Sequence, residues 1–249
     1  IRDSNKYMHI YKECFRRWNL PGFNPQGLDL LIENRMMNSL EFYEEHKAQI
    51  KRLAIEPFYA LCERMRDEML LIDPLFVTVP SRMVSRVRRD TRYTKDKTRY
   101  RANLWLLFRR ARTQYEELPF FYMELGPESW KYGCWGGFGR GEMTIARELI
   151  LREDKLFLDA YHAVQKVPDM ILQGECYKRP KYPDASVNYQ RWLNRKQLGV
   201  DFIETENFAP VFNGSFVTPM LENFQKLAPF YNFLCTLRDR ARAGQGDRL

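Results

Sequence analysis

Two runs of alternating side chains bracket a charged loop, and this arrangement restricts the fold more than any other feature of the chain. Met83, Ser85 and Val87 alternate with Arg82, Val84, Arg86 and Arg88. Ala102, Leu104, Leu106 and Phe108 alternate with Asn103, Trp105, Leu107 and Arg109. A period of two puts successive side chains on opposite faces of an extended chain, so each run predicts a strand, the second with one dry face. The loop between them makes the two strands antiparallel neighbours. Phe120–Leu125 and Trp130–Phe138, joined at Gly126-Pro127, predict two more strands.

Helical patterns surround this block. Residues 1–20 read as an N-terminal helical extension, with Tyr7, Ile10, Tyr11, Cys14 and Phe15 at three- and four-residue steps. Asn24-Pro25 is a cap and first-turn pair for a helix through about Asn34. Asn38 followed by Glu41 resembles a capping box. It opens a long helix through about Ile72, with Tyr43, Ile50, Phe58, Leu61, Met65 and Met69 inward and a break or kink at Pro57. Further on, the pattern predicts one helix from about Thr144 to Val167, a strand over Ile171–Tyr177, a short helix over Asn188–Lys196 and a short strand over Val200–Glu204. Two final helical pieces are split at Pro229, and residues 241–249 read as a flexible tail. The expectation is an α+β chain: a single domain over residues 21–240, with an antiparallel sheet packed with several helices.

Charge is concentrated on the same block. Residues 82–112 hold 12 Lys or Arg and 2 Asp or Glu, net +10, whereas the rest of the 249-residue chain holds 28 and 30, net −2. An excess this local calls for an anionic partner or for a network of paired charges. Guanidinium groups give planar, bidentate donors for phosphate or carboxylate. Thr91-Arg92-Tyr93 is echoed by Thr98-Arg99-Tyr100, and tyrosine beside arginine can stack on a ring while the arginine holds an anion. Asp90 and Asp96 are the two acids able to pair with these arginines.

Other chemistries find less support. Gly133, Gly136, Gly137, Gly139 and Gly141 precede a predicted helix and Arg147, but they miss both G-x-x-x-x-G-K-[ST] and G-x-G-x-x-G. A wide turn or bulge explains them as well as a phosphate cradle does. His9, His46 and His162 are far apart and show no metal-ligand spacing, so no metal site is expected. Gly214-Ser215-Phe216 lacks the second glycine of a nucleophile elbow. Cys134 sits in a glycine-rich segment near basic residues, which would favour a reactive thiolate, although a small buried thiol is the commoner outcome. The five cysteines form no C-x-x-C pair and read as reduced thiols. With no long apolar run and no apolar core behind residues 1–6, the expectation is a cytoplasmic protein without a membrane partner.

The segment Arg86-x-x-Arg89-Asp90-x-Arg92-Tyr93-x-x-Asp96-Lys97-x-x-Tyr100 resembles the signature of a mainly bacterial family, domain of unknown function 2461. The resemblance extends over about Phe23 to Leu237. Asn38-Ser39-Leu40-Glu41-Phe42-Tyr43, Glu56-Pro57-Phe58, Tyr122, the glycines after Ser129 and Ile145-Ala146-Arg147-Glu148 are similar to its other blocks. Phe42-Tyr43 replaces a usual Trp-Phe, His46 stands where asparagine is common, and Arg99 where proline is. The resemblance implies one α+β domain and directs attention to the motif, while supplying neither a substrate nor a cofactor.

Three readings of the motif follow. In the first, Arg86, Arg89, Asp90, Arg92, Tyr93, Asp96, Lys97 and Tyr100, with Arg147, form a site for a phosphate-containing or other small anionic ligand, with or without a reaction on it. In the second, the segment binds nucleic acid without sequence preference, with Tyr93, Tyr100 and Trp105 stacking on bases. In the third, the arginines and aspartates form an ion-pair network that fixes the turn.

Overall fold

Asn38 joins the first two helices and ties them to the charged loop. The computed structural model describes residues 22–111 and 118–246; the expected helix over residues 1–20 lies outside them, as does Arg112. Helix α1 (Pro25–Met37) starts at Asn24, whose side chain accepts from the Gln26 amide at 2.9 Å. It ends at Asn38, which adopts the left-handed region (φ 47°) and donates its amide to the Asn34 carbonyl. Asparagine tolerates that conformation better than most residues. Asn38 therefore closes α1, and the cap of α2 (Leu40–Ile50) moves one residue on, to Ser39, whose hydroxyl accepts from the Phe42 amide.

The long helix is interrupted as Pro57 requires. A wide turn of π type over Lys51–Ile55 separates α2 from α3 (Glu56–Ile72). Proline has no amide to offer the carbonyl four residues back, so Leu53 O is released from the helical ladder. Gly27 packs directly on it, since a Cβ at Gly27 would lie 2.3 Å from that oxygen. Of the inward residues expected on this stretch, Ile50, Phe58, Leu61, Met65 and Met69 are buried, and Tyr43 is partly buried against the core.

The expected first strand is replaced by a looser ribbon. Pro80 starts a single helical turn, α4 (Pro80–Met83), after which the chain meets its neighbour only through the isolated bridges Val84–Leu106 and Arg88–Tyr100. Val84 and Val87 are both buried, which strict alternation would not permit. Ser85 holds the pairing together: its amide donates to Trp105 O at 2.8 Å and its hydroxyl accepts from Trp105 N at 3.1 Å.

The other predicted strands form as expected, with shifted ends: β1 (Leu104–Arg109), β2 (Phe120–Leu125) and β3 (Trp130–Gly136). The helix expected over 144–167 is two helices, α5 (Arg140–Leu151) and α6 (Lys155–Gln165). They part at Glu153, whose φ is 50°, and Asp154 caps the second by accepting from the Leu156 amide. Then come β4 (Ile171–Gln173), α7 (Val187–Leu193), β5 (Leu198–Glu204), α8 (Ala209–Asn213), α9 (Val217–Lys226) and α10 (Ala228–Gly246). The last helix thus continues past residue 240.

All pairings in the sheet are antiparallel, in the order β1-β2-β3-β5-β4. One face carries Leu104, Leu106, Phe108, Phe121, Met123, Tyr132, Cys134 and Val200, all buried in a core completed by α3, α9 and α10. Aromatic side chains dominate there; Phe121 lies 4.8 Å from Phe224 and 5.2 Å from Tyr231 between ring centres. The buried Asp73 accepts from Tyr231 Oη and Arg110 Nε, which locks the end of α3 to the edge of the sheet. The result is an α+β architecture.

Candidate ligand site

The opposite face of the sheet carries different chemistry. Trp105 and Leu107 from β1, Phe120, Tyr122 and Glu124 from β2, Lys131 and Trp135 from β3 and Asp201 from β5 line a cavity of about 360 Å³. Strand register explains the arrangement: Trp105 pairs with Glu124, Leu107 with Tyr122, Phe120 with Trp135, and Gly133 with Asp201. A second cavity of about 320 Å³ adjoins it, sharing Glu124 and Lys131 and reaching Arg35 and Asn103.

Two glycines form the floor. A Cβ at Gly133 would lie 2.3 Å from Asp201 Oδ1, and one at Gly199 would lie 2.3 Å from the Trp135 ring. Glycine at both positions lets the carboxylate and the indole lie across bare backbone. They meet there: Trp135 Nε1 donates to Asp201 Oδ1 at 2.6 Å, and Tyr122 Oη donates to the same oxygen at 3.0 Å. Burial pushes the Asp201 carboxyl up to about 6, against the pull of the Trp135 and Tyr122 hydrogen bonds and of Lys131. Burial also raises the Tyr122 hydroxyl, reinforced by the Asp201 charge.

The rim is basic. Arg101 stacks over Trp105, its guanidinium carbon 4.5 Å from the ring centre. Its Nε is buried without a hydrogen-bond partner. Desolvation, followed by repulsion from Arg89, weakens its hold on its proton, and Glu124 opposes them only in part.

The sequence-predicted residues do not converge on one cleft. Arg86 is exposed. Arg89 is largely buried, bonded to Asp96 and to Thr98 Oγ1. Asp96 is the hub: it also accepts from the Thr98 amide at 2.9 Å and from Arg35 at 3.3 Å, and the Thr98 and Arg89 bonds hold its carboxyl well below the usual range. Asp90 pairs only locally, with Arg92 at 2.7 Å in the open, and that bond lowers its carboxyl to about 2. Lys97 donates to Thr91 O at 2.9 Å. Tyr93 is 91% exposed, whereas Tyr100 is buried and stacks on Tyr43. Tyr93, Tyr100 and Trp105 therefore sit in three different environments.

Arg147 is committed elsewhere. It is buried on α5 and donates to the carbonyls of Leu193 (3.0 Å), Met143 (3.0 Å) and Arg195 (2.7 Å), which fastens α5 to the end of α7. The glycine run does not form an open cradle: Gly133 and Gly136 lie within β3, and Glu142 caps the Gly139 amide. Cys134 is fully buried and its thiol is pushed up, opposite to an activated thiolate. His46 bonds Phe42 O and stacks on the Phe42 ring. Among the described residues no group of three His, Cys, Asp or Glu is arranged to hold a metal ion, and no helix is long and apolar enough to cross a membrane.

Sequence reasoning missed Asp201, Trp135 and Arg101. The available signal was alternation itself: if Leu104, Leu106 and Phe108 face the core, Trp105 and Leu107 must face away.

Fold and site together define an antiparallel α+β protein with an aromatic groove on the sheet face opposite its core. The chain belongs to the family described as conserved hypothetical protein DUF2461, whose model matches residues 26–233. Comparison with curated proteins finds no match.

Proposed function

We propose that this protein binds a small ligand carrying an anionic group in the groove on the sheet. The anionic group sits against Arg101, and the body of the ligand lies along Trp105, Phe120 and Trp135. The observation that carries the reading is Arg101: a half-buried guanidinium whose Nε has no partner, stacked on Trp105, the indole that lines the aromatic cavity. A guanidinium whose desolvation Glu124 offsets only in part favours a further anion, because a desolvated charge is costly. The ribbon contributes by position, since Arg89 and Asp96 fix the strand that delivers Arg101. Arg86, Arg89 and Arg92, spread as they are, serve less well as a single anion clamp.

The test is a thermal-shift and calorimetric screen of sugar phosphates, nucleotides and polyanions. The expected result is stabilisation by at least one small phosphate compound, lost in Arg101→Ala and Trp105→Ala and kept in Arg86→Ala. Stabilisation that survives Arg101→Ala overturns the reading. Binding to oligonucleotides alone, with a steep salt dependence that Arg86→Ala weakens, favours the exposed ribbon as a nucleic-acid surface instead.

A further inference from the structure

We propose that the groove takes a planar nitrogen heterocycle of the nucleobase class, and that Asp201 reads it through Oδ2. This rests on the groove being the binding site, and it adds what the ligand's uncharged part must be. The Trp135 indole lies against the Gly199 backbone, where a Cβ would come within 2.3 Å of the ring. One face of the indole is therefore turned to the sheet and the other to the groove it lines. The N–H to Asp201 Oδ1 lies in the ring plane, so the carboxylate is at the edge of this platform. Flat, sequence-tolerant stacking on such a surface is what an aromatic ring of a ligand gains from tryptophan.

The carboxylate then selects among rings. Oδ1 already receives Trp135 and Tyr122. Oδ2 is not among the buried polar atoms left without a partner, and Asp201 lines the groove. A purely apolar ring laid over it would desolvate an acceptor without replacing its hydrogen bond. A ring with an edge N–H replaces that bond while keeping the stacking face. The charged groups facing this carboxylate are Glu124 from β2 and Lys131 from β3, with Tyr122 from β2 as its titratable donor. Accepting an N–H favours the carboxylate form, so binding below neutral pH releases a proton.

The experiment measures binding of AMP, GMP, CMP and UMP, the free bases and ribose 5-phosphate to the full chain, by tryptophan fluorescence and calorimetry. At least one nucleotide is expected to bind about tenfold or more tighter than ribose 5-phosphate. Asp201→Asn removes most of that advantage without weakening ribose 5-phosphate binding, since it takes away a negative charge and no anion contact. Gly199→Ala, which displaces the indole, lowers nucleotide affinity in the same way. Equal binding of ribose 5-phosphate and nucleotides overturns the heterocycle but leaves the anion groove standing. Free bases binding as tightly as nucleotides keep the heterocycle and remove the anion. Binding of none of these compounds overturns both.

Discussion

Trp135 and Asp201 reach across neighbouring strands to a 2.6 Å hydrogen bond, each lying over a glycine of the other's strand. The bond satisfies one oxygen of a carboxylate that burial makes reluctant to ionise. The carboxyl is raised from 3.8 to about 6, so as pH rises the unfolded chain loses this proton before the folded one does. Asp201 therefore lowers stability progressively between about pH 4 and pH 6, and its cost is constant above that.

Asp201→Asn keeps an oxygen for Trp135 and Tyr122 and has no proton to lose. The substituted protein should match the native one near pH 4 and exceed it at pH 8 by about 1–3 kcal/mol. Urea unfolding of both proteins across this range checks it. A stability difference that does not change with pH would refute the assignment.

Asp96 and Asp90 lie in the same charged segment but carry different structural weight. Asp96 gathers Arg35, Arg89 and Thr98, whereas Asp90 holds only Arg92 in the open. Asp96→Ala should speed hydrogen exchange at the Arg89 and Arg101 amides, which bond across the ribbon, and weaken ligand binding at Arg101. Asp90→Ala should leave both nearly unchanged. Equal effects from the two substitutions would show that the network is not centred on Asp96.

Arg147→Lys should destabilise the fold by about 2–4 kcal/mol, because an ammonium cannot reach all three carbonyls that the guanidinium serves. Ligand affinity of the folded protein should not change. Chemical denaturation read alongside binding tests this, and an intact fold with lost binding would place Arg147 in the site after all.

Much of the architecture was legible from spacing. The β-hairpin around Gly126 and the inward stripe on α3 follow from period and turn chemistry that act over a few residues. The break at Glu153 was not legible, since neither glycine nor proline marks it and only Asp154 hints at a new cap. The ribbon reads as a strand in sequence because charge alternation there follows solvent exposure, while the buried pair Val84 and Val87 is three apart. The groove was hidden for a further reason. Asp201 and Trp135 are 66 residues apart, and only strand register brings them together. Local charge was visible in the sequence; a single desolvated carboxylate was not.

The corner at Asn38 has one more consequence. Its side chain accepts from the Arg99 amide at 2.7 Å, Arg35 reaches Asp96 and the Tyr100 carbonyl, and Tyr43 stacks on Tyr100. The helices thus grip the outgoing limb of the ribbon at successive points just before Arg101. The tip, residues 91–95, lies upstream of that grip. The tip's own bonds, from Lys97 to Thr91 O and from Thr94 to Asp96 O, stay within the loop, so the helical corner is the gauge that sets where Arg101 meets Trp105.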